Sequence, residues 1–261
     1  MTMRNPDSGT GSRGSAAKNR QRSFERLSVS QRAQHIILII SFSILIITGM
    51  PVLFSRSPAS GALVRLMGGM TTRALLHRIG ALMLIAVCVY HCFYVLYSKK
   101  GRDDFAELIP GLKDANDAFQ MLKYYFGLSM EKPRFGRFNY IEKFEYLAMG
   151  WGSVVMIVTG FVLWFQDQAM VILPKWVLDI ANIVHGYEAV LAFLAIVIWH
   201  FYHVHFNPEV FPMTRVWLTG RISEHELKEN HPLEYEKIVE LGDITKPGAG
   251  DPDGQPLNKE R

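Results

Sequence analysis

The chain reads as four long apolar runs separated by polar and charged segments. Residues 36–54 (IILIISFSILIITGMPVLF), 79–97 (IGALMLIAVCVYHCFYVLY) and 146–165 (YLAMGWGSVVMIVTGFVLWF) contain no charged side chain apart from the histidine at 91. A fourth run, 185–206 (HGYEAVLAFLAIVIWHFYHVHF), is interrupted by one acid, Glu188, and carries four histidines. A hydrocarbon layer about 30 Å thick is crossed by roughly 20 apolar residues of helix. Four runs of this length predict an all-α integral membrane four-helix bundle, its second span starting near Leu76 and its fourth near Val184. Between spans 2 and 3, residues 114–128 (DANDAFQMLKYYFGL) place apolar side chains at helical spacing and predict a short interfacial helix. The connections 58–75 and 166–182 are partly apolar, which suits a position on the membrane or under a partner.

The flanks set the domain boundaries. Residues 1–33 are rich in Ser, Gly and Arg and lack the layout of a secretory signal, so they read as a disordered basic tail. Residues 34–206 form the membrane domain, and 207–261 a C-terminal tail in which SEHELKEN (223–230) is helical.

Charge then orients the bundle. Lys and Arg number seven in the N-terminal tail, eight in 98–141 and seven after 206, against three between spans 1 and 2 and one between spans 3 and 4. Positive charge gathers on the cytoplasmic side of membrane proteins. Both termini are therefore expected in the cytoplasm, with the short loops outside. This bias accounts for the pI near 9.0 without a nucleic-acid partner. The hydrophobic fraction of 49% and mean hydropathy of +0.10 would also suit a soluble protein. Their concentration into four runs is what excludes one.

Candidate chemistry resides in the histidines. His77 stands at the outer end of span 2 and His185 at the outer end of span 4. His91 lies fourteen residues further in on span 2, and His200 fifteen further in on span 4. At 1.5 Å per residue each is displaced inward by about 21–23 Å. At 100° per residue, His91 returns to within about 40° of His77, and His200 to within about 60° of His185. His35 opens span 1 at the inner level. The outcome is an outer layer of His77 and His185, and an inner layer of His35, His91, His200 and His203. Imidazoles facing each other across parallel helices are what bis-histidine ligation of haem iron requires, and two levels would hold two haem groups about 20 Å apart. His203 and His205 fall at the inner water boundary, and His225 and His231 in the soluble tail. Cys88 and Cys92 lie in span 2 without a C-x-x-C-H motif, which excludes covalent c-type haem attachment, and they read as packing residues. Gly49, Gly80, Gly150, Gly152 and Gly160 would admit either a flat macrocycle or a neighbouring helix. Glu188 would orient a ligand, relay a proton, or reach outer water.

RAQHIILIISFSILIITGMP resembles the first span of the bacterial cytochrome b561/nickel-hydrogenase cytochrome b family, which includes formate dehydrogenase gamma subunits. HRIG at the head of span 2 and VHGYE…IWHFY in span 4 fit the same family. The resemblance covers about residues 30–206, and the tail further resembles subunits found beside multihaem c-type cytochromes. It implies two b haems, an outer one on His77 and His185 and an inner one on His35 and His200. Geometry alone also offers His91 with His200, the plan of the cytochrome b/b6 family, and the fifteen-residue spacing in span 4 is one longer than the formate dehydrogenase type leads one to expect. The family also implies a quinone beside the inner haem, near FGRFNYIEKF (135–144), where Asn139 would contact a quinone carbonyl and Glu142 would carry a proton. The function implied is a membrane di-haem cytochrome b subunit. It would pass electrons between a periplasmic-side redox partner (a dehydrogenase, a hydrogenase or a multihaem cytochrome c) and the quinone pool. The alternatives are a stand-alone quinone oxidoreductase of the same fold, such as one oxidising superoxide, and a haem-free metal transporter or membrane scaffold. The paucity of intramembrane carboxylates argues against a cation path.

Overall fold

The computed structural model describes residues 22–208 and 210–242. Helix α1 (Val29–Leu53) opens on a reciprocal cap. The Ser28 hydroxyl accepts from Gln31 N at 3.2 Å, and Ser28 N donates to Gln31 Oε1 at 2.9 Å. A short α2 (Pro58–Leu66) leads to α3 (Met70–Tyr97), then α4 (Lys99–Leu108) and α5 (Leu112–Tyr125). The α5 helix covers most of the segment expected to form an interfacial helix. Helix α6 (Tyr140–Trp164) and a short α7 (Gln166–Ile172) precede α8 (Lys175–Leu194). The α8 helix continues through two π-helical stretches, Ala195–His200 and Tyr202–Phe206, so that one helical rod runs from Lys175 to Phe206.

The four long helices are the four expected spans. Each is at least 25 residues, or about 37 Å of helix, and apolar enough to cross a bilayer. Only helices and closed barrels satisfy every backbone group within hydrocarbon, which is why such sequences adopt this form. Their large apolar side chains mostly face outward: Ile47, Phe93 and Trp151 are 51%, 54% and 69% exposed, a distribution suited to lipid. The protein is a multi-pass membrane helical bundle. Helices α1 and α3 pack closely at Gly80, where an added Cβ would lie 2.9 Å from Ile44 Cγ2, and the Ser41 hydroxyl donates to Gly80 O at 2.9 Å.

The described residues of the two flanking segments carry structure of their own. Strand β1 (Ser23–Glu25) pairs antiparallel with β2 (Arg221–Ser223), in the register Ser23↔Ser223, Phe24↔Ile222, Glu25↔Arg221. Around this ribbon α9 (Val216–Thr219), α10 (Glu224–Asn230) and α11 (Pro232–Glu240) build a cap at the end of the bundle where α1 begins, the end expected to be the inner one. Residues 1–21 of the expected disordered tail, and 243–261 of the C-terminal tail, lie outside the described residues.

The centre of the cap is ionic. Arg26 is 5% exposed; its guanidinium pairs with Glu234, donates to Arg137 O, and lies 3.2 Å from His231 Nε2 and 3.7 Å from Glu142. Arg137 bridges Asp104 at 2.8 Å and Glu234 at 2.9 Å. His231, expected to be an ordinary tail residue, is 6% exposed, with its Nδ1 2.8 Å from Gly136 O. Burial, then the adjacent Arg26 charge, holds its pKa below the ordinary imidazole range. His225 is exposed and faces Glu229.

Candidate functional site

Two pairs of imidazoles face each other between the helices. His77 on α3 and His185 on α8 have ring centroids 6.5 Å apart, and so do His35 on α1 and His200 at the end of the first π-helical stretch. The extra residue between His185 and His200 is taken up by that stretch. A π-turn inserts one residue into an α-helix and shifts the following side chains by about 100°. Fifteen residues then act as fourteen, and His200 turns toward α1.

Hydrogen bonds assign a tautomer to three of the four rings. The Thr48 hydroxyl donates to Ile44 O at 2.6 Å, so its oxygen is left to accept from His77 Nδ1–H at 2.8 Å. The same device recurs on α6, where Thr159 donates to Val155 O at 2.7 Å and accepts from His185 Nδ1–H at 2.9 Å. His200 Nδ1–H donates to Glu145 Oε2 at 2.9 Å. In each ring Nε2 keeps its lone pair for a ligand. The residue after each Thr is Gly. An added Cβ at Gly49 would stand 3.3 Å from His77 Cε1, and one at Gly160 3.3 Å from His185 Cε1. At these two glycines it is therefore the imidazole itself that approaches the helix. Two Thr-Gly doublets each face a histidine, a signal present in the sequence that spacing arguments passed over.

His91 has a different environment. Its Nδ1 is 2.8 Å from Gln34 Oε1, and its Nε2 is 2.8 Å from the Tyr146 hydroxyl. The Gln34 amide donates to Ser30 Oγ at 3.1 Å, which directs its oxygen at His91. Nδ1–H therefore donates to Gln34, and Nε2 accepts from Tyr146. His91 ties α1, α3 and α6 together with both nitrogens engaged. His203 is half-buried, with Nδ1 2.8 Å from Trp199 O. Both cysteines are free.

Four buried side-chain nitrogen or oxygen atoms lack a hydrogen-bond partner among the described residues: Arg32 Nε, His35 Nδ1, Glu145 Oε1 and Arg73 Nε. All four belong to the two histidine levels. Arg32 and His35 share a turn of α1, Glu145 holds His200, and Arg73 precedes His77 by one turn. Buried polar atoms are nearly always paired, so such a cluster marks a ligand's place. The donor set fits haem. The two imidazoles of each couple, with centroids 6.5 Å apart, would hold one haem between them. Each level also offers one unpaired guanidinium nitrogen to a propionate. A bare cation would require more protein ligands, and no group of three or more His, Cys, Asp or Glu gathers among the described residues.

Asn139 and Glu142 cap α6 reciprocally. Asn139 Oδ1 accepts from Glu142 N at 2.9 Å, and Asn139 N donates to Glu142 Oε2 at 2.8 Å. Among the described residues the Asn139 side-chain NH2 has no hydrogen-bond acceptor, which leaves it available as a donor. Glu188 Oε1 lies where a Cβ at Gly152 would come within 2.8 Å, so this glycine accommodates the carboxylate.

A family model described as prokaryotic cytochrome b561 matches residues 26–212, well over half of the chain. No curated protein matches.

Proposed function

The chain belongs to the prokaryotic cytochrome b561 family, and from that premise we propose a di-haem electron carrier between an outer redox partner and the quinone pool. As a family member it is a membrane cytochrome b that uses haem b in electron transfer with redox partners. The finer reading assigns an outer haem to His77 and His185 and an inner one to His35 and His200. Bound there, haem iron supplies one-electron chemistry, while ligands and burial set its potential. The observation that carries this reading is the pair of matched imidazole couples, each with centroids 6.5 Å apart. His35 is preferred to His91 because both nitrogens of His91 already have partners. The protein is read as lying in the bacterial cytoplasmic membrane with both termini inside, on the strength of its Lys and Arg distribution.

The residues have separable tasks. Thr48 and Thr159 hold the outer imidazoles in one tautomer and orientation. Glu145 does so for His200. Arg32 and Arg73 stand ready for the propionates. Near the inner level, the Asn139 amide would donate to a quinone carbonyl. Glu142, which faces Arg26, would pass protons between quinone and the cytoplasm. The partner on the outer side is a dehydrogenase, a hydrogenase or a multihaem cytochrome c, to be identified by co-purification.

Haem content by pyridine haemochrome tests the reading. Two b haems per chain are expected in the wild type and in His91→Ala alike. A fall from two to one in His91→Ala would move the inner ligand to His91, and a folded, membrane-inserted protein without haem would end the proposal. Thr48→Val keeps the shape but removes the acceptor for His77. Outer-shell partners of metal-bound histidines are typically worth 10–100-fold in affinity. The outer haem should therefore dissociate about 10–100-fold more readily to an apo-globin scavenger, and the inner haem at an unchanged rate.

A further inference from the structure

The two histidine levels differ in what holds their imidazoles. At the outer level both Nδ1–H groups donate to threonine hydroxyls, at 2.8 and 2.9 Å. At the inner level His200 donates to a carboxylate, Glu145, at 2.9 Å, and His35 Nδ1 has no partner. The second oxygen of Glu145 is also unpartnered and buried, so no neighbouring cation or donor draws the carboxylate's charge away from His200. Each level also has an arginine beside its pair. Arg73 beside the outer pair donates to Thr48 O at 3.2 Å, and Arg32 beside the inner pair donates to Leu218 O at 2.7 Å. Each keeps one unpaired buried nitrogen. The other carboxylate in the region, Glu188, has no hydrogen-bond partner among the described residues and touches neither pair through one.

An imidazole that donates to a carboxylate is a better electron donor through its other nitrogen, because the hydrogen bond draws the Nδ1 proton away from the ring. A better donor favours the oxidised metal. We propose that Glu145 is a positioning residue that strengthens His200 as a ligand, and that it sets the inner haem at a lower potential than the outer one. This rests on the ligand assignment above. Its consequence is directional. An electron delivered at the inner, quinone-facing level equilibrates toward the outer level, so the arrangement favours quinol oxidation and export of electrons to an outer acceptor.

The test is an anaerobic spectroelectrochemical titration of the purified full-length holoprotein, wild type against Glu145→Gln, with Glu229→Gln, an exposed carboxylate on α10, as the control. The wild type should titrate in two one-electron steps. In Glu145→Gln the lower step should move upward. At the wild-type midpoint the reduced-to-oxidised ratio of that haem should rise about tenfold, equivalent to 59 mV for one electron. The upper step, and both steps of Glu229→Gln, should stay within a twofold ratio. A shift confined to the upper step, or no shift with two haems bound, would overturn the inference while leaving the ligand assignment in place. A wild type with fewer than two haems would instead sink the assignment on which the inference rests. Should Glu145→Gln lose the inner haem, Glu145→Asp, which keeps the carboxylate, must bind two haems and leave the lower step within a threefold ratio of the wild type. Loss of haem from that variant too would show that the site needs the glutamate's shape, and would overturn the tuning role.

Discussion

His185→Ala should purify with one haem per chain instead of two, and electron transfer between quinol and an outer-side acceptor should fall more than about 100-fold. The bound on the loss follows from metal-site energetics: changes one shell further out already cost 10–100-fold, and removal of a ligand goes beyond them. The remaining haem should keep a low-spin bis-imidazole spectrum, because His35 and His200 lie about 20 Å away along the helices and share no hydrogen bond with His185. The cavity left by the ring is bordered by Gly160. His200→Ala is the complementary case and should leave the outer haem alone. The pair of variants, set beside a silent His91→Ala, would distinguish two ligand couples from a histidine-rich membrane helix with no cofactor. Retention of two haems by His185→Ala would remove the outer site from the proposal.

The second large effect lies outside the membrane. Arg26→Ala should release the inner cap. Arg26 joins the N-terminal segment to α11 through Glu234 and to the 98–139 connection through Arg137 O, while being 5% exposed. Removing one partner of a buried ion pair costs about 3–5 kcal/mol, because the remaining charge is left without compensation. Hydrogen exchange should accelerate across β2, α10 and α11, and not across α3 or α8. Double replacement of Arg26 and Glu234 should cost less than the sum of the single changes, as expected for one shared interaction. Unchanged exchange in the single variant would show that apolar contacts such as Leu227, at 1% exposure, hold the cap without it.

His231 adds a pH dependence of definite sign. Its folded pKa lies below the ordinary value near 6.5, with burial as the first cause and the Arg26 charge as the second. The unfolded cap therefore binds more protons than the folded one in the interval beneath 6.5. Its stability should fall as pH drops through that interval, and His231→Gln should flatten the response.

Some of this was legible in the chain alone. The spans follow from the run lengths of apolar residues, a local property that hydrocarbon imposes on every backbone group. The depth of each histidine follows as well, since the rise per residue is constant along a helix. Rotation was less secure. Counting at 100° per residue left His200 about 60° away from His185, because the π-helical stretch from Ala195 is invisible to a fixed period. The tails were read by composition as polar appendages. Their order depends on a ribbon that joins Ser23 to Ser223, a pairing across the whole chain that no local pattern announces.

By itself, then, the sequence determined how many helices cross the membrane and at what depth each imidazole lies, both consequences of interactions within one helix. Only the tertiary structure decided which imidazoles keep a free Nε2. His91 differs from His77 through the Tyr146 hydroxyl on α6, and His200 acquires its carboxylate from Glu145, fifty-five residues away. Those distinctions reside in hydrogen bonds between helices. Such bonds reach only about 3 Å, so they exist only after packing has brought distant segments of the chain together.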